Sequence, residues 1–209
     1  MSRLDDVQLK GVVVALLRAN KPMERVNFTV GQFTIGTMMY QILAGYCDLN
    51  RLLCVVDASQ IPDGAAAVYD PEQNTIYAKD SRLQSNDDKV NLVHEATHAI
   101  IDLMGGLNKK LTVSHLETET CAYIAGAMFS LSLTQSQPPA TVKMTVSSND
   151  SNIRAAADAV VTTKGLGTGT SNAGSPIIFT ATEILPLHTA IKANSLYKNW
   201  KSKALADGL

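Results

Sequence analysis

An excess of charge of either sign is the first thing missing from this chain. Its 209 residues carry 18 Lys+Arg against 19 Asp+Glu, a net charge of -1. A nucleic-acid or general polyanion binder would show a basic excess, so nucleic acid is not an expected partner. Charged residues make up only 18% of the chain, below the ~25% of ordinary globular domains. The hydrophobic share, 45%, is enough for a core, which excludes disorder of the whole chain. Long apolar runs are lacking too. The stretch GVVVALL at 11–17 lies between Lys10 and Arg18, far short of the ~20 residues a membrane-spanning helix needs. Asp5 and Asp6 precede it and no small-x-small cleavage site follows, so it makes a poor signal peptide. Cysteine is scarce: Cys47, Cys54 and Cys121, with no CxxC pair. An odd count in a chain of this size points to reduced, buried thiols and a cytoplasmic protein, with export by a leaderless route left open. Neither an internal repeat nor any pattern that sets an oligomeric state is present, and at about 100–200 residues per domain a single domain over 1–209 is expected.

What is there reads as helices with a few short strands. Apolar spacing predicts a helix over 5–19, ended by Asn20-Lys21-Pro22, and a second over 34–47 carrying Met38, Met39, Ile42, Leu43 and Tyr46. The run LLCVV at 52–56 fits a buried strand. Two β-prone runs, 66–69 and 75–78, flank Asp70-Pro71-Glu72-Gln73-Asn74 and predict a hairpin. Ser85-Asn86-Asp87-Asp88 supplies an N-cap and first-turn carboxylates for a helix that Gly105-Gly106 is expected to stop. Another helix is expected from Ser114 to about Leu133, opened by a capping box of Ser114 and Glu117. The polar stretch 135–150, with Pro138-Pro139, reads as a linker or surface loop. Helix is expected again over 151–163 and 181–198, with a flexible loop at 164–176 between them. The glycines at 165, 167 and 169 lack the GxGxxG spacing and follow a helix, which argues against a phosphate loop.

The chemistry concentrates at 94–98, which read His94-Glu95-Ala96-Thr97-His98. Residues four apart on a helix share a face, so both imidazoles can approach one metal ion. Glu95 is one step round from His94 and can reach a metal-bound water without being a ligand. Neutral imidazole is a good zinc ligand, and zinc lowers the pKa of bound water toward ~7. A catalytic zinc normally has three protein ligands plus water. The extended HExxHxxGxxH pattern fails, because position 101 is Ile and position 104 is Met. The next helix offers Glu117 and Glu119. They lie ~200° apart around a helix, so only one can face the metal. Glu119 shares a stripe with the small residues Ala122 and Gly126, and Glu117 suits the cap. Glu119 is the expected third ligand, with Glu117 second.

The stretch HEATHAIIDLMGGL, with Asp102 four residues after the second histidine, resembles the active-site helix of the thermolysin-like gluzincins. Glu119-Thr-Cys-Ala-Tyr123 is similar to the segment that carries that family's third ligand. The short spacing between the two pieces resembles the compact minigluzincins. This likeness covers residues 66–133 and implies His94, His98 and Glu119 as zinc ligands and Glu95 as general base. It also implies an edge strand that binds peptide in extended form, for which 74–78 is the candidate, and a transition-state stabiliser, for which Tyr77, Tyr123, His115 and His188 are candidates. Tyr123 stands where the family has an Asp, so Asp102 or a backbone carbonyl is the alternative for orienting a ligand histidine. The ~75 residues that follow are too few for a full C-terminal subdomain of the thermolysin kind.

The expected fold is a mainly helical α+β zincin-like domain with a sheet of three or four strands packed on the HExxH helix. Its metalloprotease core would lie at about 50–134, and a C-terminal helical segment at about 151–205. The expected activity is zinc-dependent hydrolysis of a peptide or protein substrate. The alternatives are a metal-containing module that grips a peptide without cutting it, and a delivered effector or toxin protease with one narrow protein target.

Overall fold

The structure, a computed structural model, describes residues 4–18, 21–108, 111–135, 150–165, 175–195, 197 and 204–205. The first third contains α1 (Leu4–Arg18), α2 (Lys21–Glu24), β1 (Phe28–Val30), β2 (Phe33–Ile35) and α3 (Thr37–Asp48). The middle holds β3 (Leu53–Val56), β4 (Ala67–Asp70), β5 (Thr75–Ala78), α4 (Asn86–Leu107), β6 (Thr112–Val113) and α5 (His115–Gln135). The remainder is α6 (Ser151–Thr162), β7 (Ile177–Phe179), α7 (Leu185–Ala193) and β8 (Ala204–Leu205). The molecule is thus a mainly helical α+β protein. No helix among the described residues is long and apolar enough to cross a membrane.

The hairpin β4–β5 forms where the sequence places it. Asp70 Oδ1 accepts from the Glu72 and Gln73 amides at 2.9 and 3.2 Å, and Asn74 takes φ +47°, a left-handed conformation that Asn tolerates. β5 lies in the middle of its sheet. It pairs antiparallel with β4 (Tyr69↔Ile76) and parallel with β3 (Cys54↔Ile76). The expectation that 74–78 is a substrate-binding edge is therefore wrong: both ladders of that strand are occupied, and all four of its residues are buried. The edge that packs on α4 is β4. A second three-stranded sheet, β2-β1-β7, was not foreseen. Gly31, at φ +55°, allows the two-residue connection between β1 and β2. This sheet claims Thr34 and Ile35, so the helix expected from 34 starts at Thr37.

α4 opens on a full capping box. Ser85 Oγ accepts from the Asp88 amide and Asp88 Oδ2 from the Ser85 amide, each at 3.0 Å. Ser85→Ala is expected to lower stability by about 1 kcal/mol, read as a shift of the urea midpoint at constant slope. Gly105 and Gly106 do not stop this helix. Both remain helical, and the chain leaves at Asn108, whose amide still bonds Met104 O at 2.9 Å. Two glycines weaken a helix by about 1 kcal/mol each, but tertiary contacts override that cost, and Gly105 is buried.

α5 is buried on every side from Glu119 to Ser130, the behaviour of a helix at the centre of a core. It packs against α2, α4, α6 and α7. Its contact with α4 is close. A Cβ on Gly126 would lie 3.4 Å from Val90 Cγ1 and 3.8 Å from Val90 O, so the small-residue stripe does bring the two helices together. α3 is tied to α4 by a 2.7 Å hydrogen bond between the Tyr40 and Thr97 hydroxyls, both fully buried. The three cysteines are free and buried. The expected linker and the glycine-rich loop fall largely outside the described residues, at 136–149 and 166–174. The last predicted helix is shorter than expected and spans Leu185–Ala193.

Candidate metal centre

His94 and His98 project from one face of α4, one turn apart, and their Nε2 atoms lie 3.2 Å from each other. Glu119, 4% exposed on the first turns of α5, meets both: Oε2 is 3.4 Å from His94 Nε2 and Oε1 is 3.3 Å from His98 Nε2. The close packing of α4 on α5 at Gly126 produces this convergence. Among the described residues these three form a group able to hold a metal ion, with their ligand atoms all within 4.8 Å of one another.

The spacing itself is informative. Donors about 2.0–2.1 Å from a tetrahedral ion lie about 3.3–3.4 Å apart. The 3.2 Å between the two Nε2 atoms is close to that edge length, and each Glu119 oxygen stands at a similar distance from one ring, Oε2 from His94 and Oε1 from His98. Two imidazole nitrogens at such a distance require a proton or a cation between them, since two lone pairs repel. Burial works against a charged His98, but the charge and hydrogen bond of Glu119, with Glu95 adding to them, outweigh it and raise its pKa. Burial alone would raise Glu119. The His98 charge and the hydrogen bonds from both rings instead hold it well below the usual carboxylate range. The carboxylate is thus kept anionic, as a ligand must be.

Glu95 is placed beside the cluster and outside it. Its Oε2 accepts a 2.9 Å hydrogen bond from the backbone N–H of Tyr69 on β4. Burial raises its pKa, against the pull of the His94 and His98 charges and the Tyr69 N–H. The same strand is anchored again by Asp102, which accepts from Tyr69 Oη at 2.8 Å. Two bonds from α4 therefore fix β4 over the helix that carries both histidines.

The other sequence candidates separate. Glu117 takes the cap: Ser114 N donates to its Oε2 at 3.0 Å, and its own amide donates to Ser114 Oγ at 3.2 Å. The Tyr123 ring packs edge-on against His94, with centroids 4.6 Å apart at 76°. It braces that imidazole. Tyr77 donates to Gln73 at 3.0 Å on the hairpin. His188 sits on α7, its Nε2 buried and without a hydrogen-bond partner among the described residues, and its pKa is lowered by burial. His115 opens α5 outside the three-donor group. Sequence reasoning missed Tyr197, whose hydroxyl is 3.3 Å from Glu119 Oε2 and 3.0 Å from Tyr123 Oη. A tyrosine 78 positions beyond its partner leaves no local signal. A narrow cavity lined by Val90, Asn91, His94, Tyr123, Gly126 and Arg154 adjoins the centre. The chain matches no family model, no curated protein and no solved structure.

Proposed function

We propose that this protein is a zinc-dependent peptidase of the compact gluzincin type, with His94, His98 and Glu119 as ligands and Glu95 as general base. One observation carries the reading: two imidazoles and a carboxylate converge with their ligand atoms within 4.8 Å of one another, and a half-buried carboxylate outside that group stands next to the first histidine. Two imidazoles and a carboxylate suit zinc better than the hard oxygen-seeking cations. When bound, the ion would polarise a peptide carbonyl and lower the pKa of a water.

The chain supplies the rest. Glu95 takes a proton from the attacking water and returns it to the departing amine. Tyr69 N–H holds one of its oxygens, which limits how far the carboxylate can swing. An extended peptide lies along β4, the sheet edge over α4, where the Tyr69 N–H is already engaged by Glu95. Asp102 and Tyr69 keep that edge in place, and Tyr123 keeps the His94 ring from turning.

The test is metal analysis of the purified protein beside His98→Ala, together with cleavage of a broad peptide library. About one zinc per chain, lost in the variant, with cleavage that follows zinc content, is the expected result. Tight peptide binding with zinc present and no cleavage would instead favour a silent peptide-gripping module. Protein that stays metal-free in added zinc would remove the enzyme reading.

A further inference from the structure

Tyr197 follows α7 in sequence, yet its hydroxyl lies at the third donor of the cluster. An ionised carboxylate only accepts, so the single phenolic hydrogen of Tyr197 is the one directed at Glu119 Oε2, 3.3 Å away. In the 3.0 Å contact between the two phenols either oxygen can donate, and Tyr123 Oη also lies 3.5 Å from Asp150 Oδ2. The contacts link Tyr123, Tyr197 and Glu119, and Tyr123 is the ring that braces His94. It engages Oε2, while Oε1 faces His98. Both tyrosines pack at the rim of the core, with Tyr123 6% exposed and Tyr197 half-buried, so neither hydroxyl swings freely.

We infer that Tyr197 is a positioning residue for the metal centre: its hydroxyl, itself held by Tyr123, orients the Glu119 carboxylate for the cation. The inference rests on the metal-binding reading above and adds that the C-terminal segment takes part in it. Partners that orient a ligand typically change metal affinity about 10- to 100-fold when removed. A carboxylate on a three-bond side chain can rotate, and a hydroxyl on one oxygen limits that rotation. Glu119 is the donor most in need of such a restraint, because each imidazole is already fixed by its place on α4.

The experiment compares the full-length wild type, Tyr197→Phe and Tyr123→Phe. Zinc affinity is measured by competition with a chromophoric chelator, cobalt-loaded protein by visible absorption, and metal-free protein by its melting temperature. Tyr197→Phe is expected to bind zinc about 10- to 100-fold more weakly, with an altered cobalt spectrum and an unchanged metal-free melting temperature. Tyr123→Phe should cause a smaller loss, because Tyr197 keeps its hydroxyl. Zinc affinity and cobalt spectrum of Tyr197→Phe equal to those of wild type would overturn the inference while leaving the metal centre standing. So would a loss of affinity matched by a fall in metal-free stability, which would make Tyr197 a packing residue only. Wild-type protein that takes up neither metal brings down the metal centre itself, and this inference with it.

Discussion

Glu95→Gln is expected to lower peptide hydrolysis by about 100- to 10,000-fold while leaving zinc content and melting temperature at wild-type values. The substitution is chosen for what it preserves. A glutamine amide oxygen can still accept from Tyr69 N–H, so the tie between α4 and β4 survives. The three proposed metal donors are other residues, so the ion is expected to stay. Only the capacity to take a proton is lost, and Gln has none. Zinc determination, turnover of a fluorogenic peptide and thermal melting on the same preparations separate the cases. Full activity in the variant would move the base elsewhere, and loss of zinc would make Glu95 a ligand. Either result sinks the role assigned to it.

Phe129→Ala is expected to destabilise the protein by about 3–5 kcal/mol, a large part of the 5–15 kcal/mol that ordinary domains possess. Phe129 is fully buried on α5, the helix surrounded by α2, α4, α6 and α7. Every side of the side chain is packed, so the space left behind cannot collapse without moving a helix. The measurement is the urea midpoint at constant slope, and Phe129→Leu should recover most of the loss. The same variant bears on the metal centre, because Glu119 rides on the same helix. Its zinc affinity should stay near wild type at temperatures where the variant remains folded. A loss there would mean that α5 shifts as a body on α4. A drop in stability below about 1 kcal/mol would contradict the central placement of α5.

Legibility followed the range of each interaction. α4 could be read because helical periodicity, its cap and its HExxH spacing all lie within 22 residues. The choice between Glu119 and Glu117 was also local: 200° of helix separates them, and Ser114 claims one for a capping box. The hairpin followed from turn chemistry at 70–74. By contrast, β1, β2 and β7 are three residues each, too short for period-two alternation to register. β1 also finds its parallel partner nearly 150 positions later. Whether β5 was central or an edge depended on where β3 docked, across a connection that carries no register of its own. Gly105 and Gly106 read as a stop because propensity is a single-residue quantity, whereas the helix around them is held by packing.

From the sequence alone came the pair of imidazoles, the neighbouring carboxylate, the acid of the next helix and the mainly helical α+β class, all written in spacings shorter than two helical turns or in composition. Tertiary structure alone decided how closely α5 approaches α4 at Gly126, and so the 3.3 and 3.4 Å by which Glu119 meets the two rings. It also decided that β5 is the central strand of its sheet and that Tyr197 reaches Glu119. The reason is physical: a periodicity states which face of an element is apolar, but the distance between two faces is set by side chains from both elements at once.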